Sequence, residues 1–254
     1  MSTATVSVIT IVYNDAKHIA RTIQSVLGQD YPHLEYIIVD GASTDGTSET
    51  VAKYADRIHT VIREPDRGIY DAMNKGQRAA TGEYVIFINS GDELEAPSTL
   101  SSIFKNEKDL ADIYYGETLF INEKGETLGT RSDLSTRKLP ATLKAENMLD
   151  GMVVCHQSIM VRRSIAPAYD LRYSCSADID WVVKSLKKAK TIRNTGGVIA
   201  KYLTGGYSAV NRRQAWKERF LIYGKEFGWG ITLLYHVKIA VKYLAYLVAG
   251  KKNL

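Results

Sequence analysis

Side chains able to bind a ligand or move a proton gather at four places in the first hundred residues, each directly after a short apolar run. Tyr13 and Asn14 follow the run at 6–12, and Asp40 follows the run at 36–39. Arg63 to Arg67 follow the run at 58–62, and Asn89-Ser90-Gly91-Asp92 follows the run at 83–88. A carboxylate such as Asp40 can accept hydrogen bonds from a base N–H or from ribose hydroxyls. A carboxylate beside a glycine, such as Asp92, can hold a divalent cation that bridges two phosphates. Mg²⁺ in particular takes few protein carboxylates and completes its shell with phosphate oxygens. Arg67 can reach a nucleotide or its phosphates, and Asn74 is polar on an otherwise core-seeking helix.

Each of these residues also has an ordinary alternative. Asp45, like Ser43 or Thr44, can satisfy free N–H groups at a helix start. We assign capping to Asp45 and ligand binding to Asp40. Asn-Ser-Gly-Asp is a common turn sequence. Asp71 and Lys75 are spaced as an i,i+4 surface pair, which accounts for neither Arg67 nor Asn74.

The elements that must position these groups alternate in type. Buried β-branched runs at 6–12, 36–39, 58–62 and 83–88 read as strands, and helices are expected between them. Asn14 or Asp15 is expected to cap a helix with the stripe Ile19, Ile23, Val26 and Leu27. Further helices are expected at 47–54 and 69–80. This order predicts parallel strands with right-handed crossovers, a doubly wound α/β sheet. In such sheets ligands bind beyond the carboxyl ends of the strands, where the polar clusters stand. In the second half, strands are expected at 113–121 and 153–162, and helices at 177–187 and 232–248.

Composition narrows the classes. The chain has 254 residues, 45% hydrophobic and 24% charged, with a formal charge of +5. These are the proportions of a globular protein, not of a disordered chain or a polytopic membrane protein. Two cysteines, Cys155 and Cys175, cannot build a disulfide framework or a four-cysteine zinc site. No leader pattern is read at the amino terminus. No G-x-x-x-x-G-K-[ST] or G-x-G-x-x-G sequence is present, which disfavours an NTPase or a dinucleotide dehydrogenase. No nucleic-acid recognition motif is present either.

The sequence resembles family 2 glycosyltransferases, which have the GT-A fold and take sugar from a nucleotide-sugar donor. The resemblance rests on Val6 to Asn14, Ser25-Val-Leu-Gly-Gln29, Ile38-Val-Asp-Gly-Ala-Ser-Thr-Asp-Gly46, and Ala80-Thr-Gly-Glu-Tyr84 through Asp92. It continues more sparsely in Cys155-His156-Gln157, Ser176-Ala177-Asp178-Ile-Asp180 and Gly205 to Ser208. The run Asp66 to Gly76 with Asn-Ser-Gly-Asp is similar to the subgroup that builds bacterial exopolysaccharide, O-antigen and colanic acid. The resemblance implies a GT-A domain over 1–210, with a nucleotide-sugar half at 1–95 and an acceptor half at 96–210. It implies donor contacts by Thr10, Tyr13, Asp40, Arg67, Asn74, Asn89 and Gly91, with UDP as the expected nucleotide. Asp92 would carry Mg²⁺ or Mn²⁺, although Asn89 and Gly91 replace acids usual in the family's metal motif. Asp178 matches the general base, and His156 lies where relatives have the active-site floor, or is a core histidine. Asp180 points about 200° away from Asp178 on a helix, and so would brace it. The implied reaction is inverting transfer to a hydroxyl of a saccharide or lipid-linked saccharide. Two alternatives stay open: a non-catalytic nucleotide-sugar-binding or scaffold protein at a membrane, and a sugar nucleotidyltransferase. The loop after the first strand disfavours the second of these.

The charge is unevenly placed. Residues 201–254 hold ten Lys or Arg and two acids, a net of +8, while the first 200 residues carry a net of −3. Residues 211–254 are expected to form a basic amphipathic helical tail. Its central His236, Lys238 and Lys242 oppose a transmembrane span. Lys238 and Lys242 with Trp229, Tyr235, Tyr243 and Tyr246, and Lys251-Lys252 behind, suit an interfacial helix. Packing on the domain or in a homodimer is the alternative. The expected location is cytoplasmic, with the tail as a peripheral contact at the inner face of the membrane.

Overall fold

The computed structural model describes residues 4–105, 109–135, 137–205 and 211–248, with backbone only at 212, 240 and 242–248. Strand β1 (Val6–Val12) is followed by α1 (Ile19–Leu27), β2 (Leu34–Asp40), α2 (Thr47–Ala52), β3 (Thr60–Arg63), α3 (Ile69–Ala79) and β4 (Tyr84–Phe87). The strands β3-β2-β1-β4 lie side by side and are all parallel. The seven residues of β1 and the four of β4 are buried on both faces, as a sheet covered by helices on each side requires, while the edge strand β3 is partly exposed. Alternate residues serve opposite cores. Ile9, Ile11, Ile37, Val39, Val85 and Phe87 pack under α3, while Val6, Val8, Ile38, Ile86 and Ile88 pack under α1 and α2. Each such fully buried side chain contributes about 1.5–3 kcal/mol.

The chain continues through β5 (Glu93–Leu94), α4 (Thr99–Phe104), β6 (Ile113–Ile121), β7 (Thr127–Thr130), α5 (Arg131–Leu134), β8 (Ile159–Arg162), α6 (Ala177–Lys188) and β9 (Ile192–Leu203). Antiparallel β8 joins β4 to β6, and β9 runs parallel to β6 before pairing with β5. A single sheet thus passes through both halves. Helix α6 has Asp178 and Asp180 in its first turn and Lys187 and Lys188 in its last, matching its dipole at both ends. Helices α7 (Arg212–Phe227) and α8 (Trp229–Val248) close the chain.

Three local expectations are corrected. Neither Asn14 nor Asp15 caps α1 by its side chain. His18 holds that place, and Ile19 N donates to the backbone carbonyl of Asp15. The strand expected over 153–162 forms only at its end, because residues 156–158 make a 3₁₀ turn that carries His156 and Gln157 inward. Asp71 does not pair with Lys75. It accepts from Arg67, while Lys75 is drawn across to Asp66 at 2.6 Å and Glu64 at 3.0 Å.

In the tail, part of α8 packs on the domain, the alternative left open by its sequence. Tyr235 packs against the main core, and Lys238 reaches Asp150 at 2.7 Å, so both face the domain. The His236 ring sits on Phe220 of α7 at 4.9 Å. The outward face is apolar instead, with Leu233, Leu234, Val237 and Val241 exposed and Trp229 at its start. The side chains of Lys242, Tyr243 and Tyr246, and all of Lys251 and Lys252, lie outside the described residues. No helix among the described residues is long and apolar enough to cross a membrane.

Candidate active site

From β1 the chain runs outward through β2 and β3, then returns to place β4 on the other side of β1. The strand order therefore reverses at the carboxyl ends of β1 and β4, where an open α/β sheet leaves a crevice. A cleft of about 1950 Å³ opens there. That is roughly twice the upper end of ordinary small-molecule sites, about 1,000 Å³, and leaves room for two substrates.

One wall is the loop after β1, braced against the loop after β2. Asn14 N donates to Ser43 Oγ at 2.8 Å, and Asn14 Oδ1 accepts from Thr44 N at 2.9 Å. Ala16 N and Thr47 N both donate to Asp45, at 3.0 Å each, so Asp45 ties the two loops at the start of α2. Asn14 and Ala42 have positive φ, 49° and 63°, a strain of about 1–2 kcal/mol each that this bracing holds. Tyr13 projects from the wall, 67% exposed. Asp40 lies directly behind Gly41, which lines the cleft. Its carboxylate accepts from Ser43 N at 2.9 Å and from the Ser48 hydroxyl, and each oxygen keeps a further lone pair. Arg67 is on the rim with its side chain 80% exposed.

The Asn89–Asp92 turn forms the floor under β1. Ser90 Oγ bridges to Asp15 Oδ2 at 2.6 Å. Asp92 accepts from Gln157 Nε2 at 2.9 Å and from Leu203 N at 3.0 Å, and burial raises its pKa to about 7. Asn89 Oδ1 is buried without a hydrogen-bond partner among the described residues. One carboxylate and one unpaired amide oxygen on a single turn form a minimal oxygen donor set, which fits a Mg²⁺ or Mn²⁺ that takes its other ligands from phosphate and water. No cluster of three His, Cys, Asp or Glu that could hold a metal ion without substrate occurs among the described residues.

Asp178, in the first turn of α6, also lines the cleft. It accepts from Tyr70 Oη at 3.1 Å and from Ile179 N at 3.0 Å, and burial raises its pKa to about 6. Tyr70 stacks on Tyr169, which stacks in turn on Trp181. Asp180 turns away and pairs with Lys184 at 2.6 Å, bracing the helix. His156 hydrogen-bonds Tyr169 Oη at 2.7 Å between Phe87 and Trp181, and burial lowers its pKa to about 3. It is a neutral core histidine at the edge of the cleft.

The structure does not bring Thr10, Asn74 or Gly91 into the cleft. Thr10 donates to the Ile88 carbonyl at 2.7 Å inside the sheet. Asn74 clamps the backbone of Tyr169 through both its amide atoms, at 2.9 and 2.8 Å. Gly91 has φ +93° and spends its N–H on Thr22 and its carbonyl on Arg21. Its place in the turn follows from sterics, since a Cβ would stand 2.8 Å from Leu203. Sequence reading missed Tyr70 and Gln157 as partners of the two carboxylates, although both lie within the quoted motifs. It also missed Arg131, Arg137 and Arg219, which line the cleft from distant parts of the chain. The matches at 206–208 lie outside the described residues.

The fold is that of a GT-A glycosyltransferase. The model of the family "Glycosyl transferase family 2" matches residues 7–169, and the chain belongs to that family. It is 30% identical over 224 residues to a Bacillus subtilis glycosyltransferase assigned by name to teichuronic acid biosynthesis, covering 86% of each chain. It is 30% identical over 206 residues to a PGL/p-HBAD biosynthesis glycosyltransferase of Mycobacterium bovis, covering 77% of this chain and 75% of the relative. Among solved structures, S. aureus TarS 1–349 in complex with UDP superposes with a TM-score of 0.69 at 16% identity, over 95% of this chain and 72% of that one. The Pyrobaculum calidifontis mannosyltransferase PcManGT, in complex with GDP-Man and Mn²⁺, superposes with a TM-score of 0.64 at 19% identity, over 97% and 79%.

Proposed function

We propose that this glycosyltransferase moves a sugar from a UDP-sugar to a hydroxyl of a saccharide or lipid-linked saccharide, with inversion, in cell-surface polysaccharide assembly. The observation that carries the mechanism is Asp178, a half-buried carboxylate with its pKa near 6, which lines the same large cleft as Asn89 and Asp92. A base poised near the working pH is still largely ionised yet able to hold a proton. Asp178 takes the proton of the acceptor hydroxyl as its oxygen attacks the anomeric carbon. The bond to the diphosphate oxygen breaks on the opposite face, and that oxygen leaves with the bonding pair. Tyr70 Oη fixes the carboxylate's rotamer for this transfer. Tyr13, Asp40, Arg67 and Asn89 hold the nucleotide. A Mg²⁺ or Mn²⁺ held by Asp92 and Asn89 would supply Lewis-acid neutralisation of the leaving diphosphate. No acid catalyst is needed for so good a leaving group, unlike the two-carboxylate chemistry of glycoside hydrolysis.

Asp178→Asn is expected to lower transfer by about 10³-fold, with the Kd for UDP unchanged within about twofold. Turnover at the wild-type rate would overturn the base assignment. The names of the bacterial relatives support a cell-surface polysaccharide product, and the UDP complex of TarS supports the nucleotide. The exposed apolar face of α8, in a segment of net charge +8, supports a peripheral contact with an anionic bilayer, where a lipid-linked acceptor would be presented.

A further inference from the structure

Three arginines that belong to none of the four strand-end clusters line the same cleft. Arg131 opens α5, Arg137 follows it, and Arg219 lies on α7. Arg219 is only 8% exposed, yet its Nε and Nη2 have no hydrogen-bond partner among the described residues. Its guanidinium lies 4.6 Å over the Trp216 ring. Arg131 donates to Cys155 Sγ and to the Met152 carbonyl, but its Nε is buried and unpartnered. Arg137 is half-buried, and desolvation together with the nearby charges of Arg131 and Arg219 pushes its pKa down to about 10. No ion pair joins any of the three to a carboxylate among the described residues. Glu218, the neighbour of Arg219, is committed to the backbone N–H groups of Ser174 and Cys175 and to Gln214. The buried Tyr223 hydroxyl beside them is also unpartnered.

Grouping guanidiniums that lack carboxylate partners partly or wholly out of water is costly, and an anion with several acceptor oxygens offsets that cost. Leu134, Met152 and Trp216, which adjoin these arginines in sequence or in contact, and Ile239 of α8 add apolar surface to the same cleft. We propose that Arg131, Arg137 and Arg219 form an acceptor subsite for a phosphate or diphosphate ester joined to an apolar chain. The subsite rests on the transferase reading above and specifies its acceptor. All three arginines follow the nucleotide-binding half of the chain, and Arg219 lies beyond the segment matched by the family model.

The test is calorimetric titration of the full chain, saturated with UDP and Mg²⁺, with farnesyl diphosphate, inorganic pyrophosphate or farnesol. Farnesyl diphosphate is expected to bind most tightly. Arg137→Met and Arg219→Met should each weaken it by about tenfold or more, with UDP affinity unchanged within about twofold, and Arg219→Lys should recover part of the loss. Lys53→Met, on the exposed end of α2, should change neither affinity. Without ligand, Arg219→Met should raise Tm by about 2–4 °C, because it removes a buried unpaired charge. Equal loss of UDP and farnesyl diphosphate in the Met variants would give the arginines to the donor and overturn the subsite. So would pyrophosphate binding as tightly as farnesyl diphosphate, or a fall in Tm for Arg219→Met. A wild-type protein that binds UDP but not farnesyl diphosphate would overturn the subsite alone. One that binds neither would overturn the transferase reading with it.

Discussion

In the proposed reaction, Asp178 and Asn89 meet the two residue-level demands. The Asp178 pKa is about 6 in the fold against 3.8 for the free side chain, and burial is the cause. The ionised form accepts the proton, so kcat/KM should rise with pH and level off above an apparent pKa near 6. A profile flat from pH 5 to 8 would show that another group serves as base. Stability runs the other way. A carboxyl whose folded pKa is raised stabilises the fold fully below its unfolded pKa, and that stabilisation is lost as pH rises through about 6. Asn does not ionise, so Asp178→Asn should gain about 1–3 kcal/mol over the wild type at pH 8 and little at pH 4, read from urea unfolding. At the turn, Asn89 Oδ1 is a single unpaired oxygen where a carboxylate would add charge. Asn89→Asp should lower the Mn²⁺ concentration for half-maximal transfer by about threefold or more, measured in a metal titration.

At the scale of elements, α3 shows how close packing holds the site. A Cβ on Gly76 would stand 2.4 Å from Ile9 Cγ2, so the glycine lets α3 lie directly on β1. The same helix carries Tyr70 toward Asp178 and Asn74 toward Tyr169. Gly76→Ala should therefore cost about 1–3 kcal/mol in urea unfolding, as overpacked cores do. A larger loss of activity than of stability would show that Tyr70 had moved as well. Helix α8 has the opposite character. Its inner side is fixed by Tyr235, His236 and the Lys238–Asp150 pair, and its outer side is a row of apolar residues facing solvent. Leu234→Gln, Val237→Gln and Val241→Gln together should abolish flotation with anionic vesicles and leave unfolding in urea nearly unchanged. Unaltered flotation would rule out this face as the membrane contact.

For the whole molecule, the sheet divides the work. Its parallel half brings the loops after β1 and β4 to the reversal point between them, and its mixed half continues the sheet through β8, β6 and β9, while Asp178 of α6 lines the same cleft. Binding of a nucleoside diphosphate at that seam should stabilise the entire fold, because unfolding destroys both walls at once. At one hundred times its Kd a ligand adds about 2.7 kcal/mol, or about 5–10 °C in Tm for a chain of this size. UDP with Mn²⁺ should give this shift and GDP a smaller one. Equal shifts would remove the preference for uridine. The charge division has the same logic, since an acidic body with one basic end can present that end to an anionic surface without binding polyanions throughout.

Local patterns sufficed for much of this. Alternating β-branched runs and helical stripes fixed the strands β1 to β4 and helices α1 to α3. The strand-end position of Asp40 and Asn89–Asp92, and the place of Asp178 at a helix start, were readable as well. These depend on hydrogen bonding and burial over a few residues, which the chain carries within each segment. Only the tertiary structure decided which polar groups were already spent. Thr10, Asn74 and Gly91 look as available in sequence as Tyr13, yet the sheet interior, the Tyr169 backbone and the Thr22–Arg21 pair consume them. It also decided the grouping of Arg131, Arg137 and Arg219 and the meeting of Asp178 and Asp92 in one cleft. Such contacts join residues tens of positions apart, and their energy depends on which partners remain unsatisfied after folding. No spacing rule along the chain encodes that.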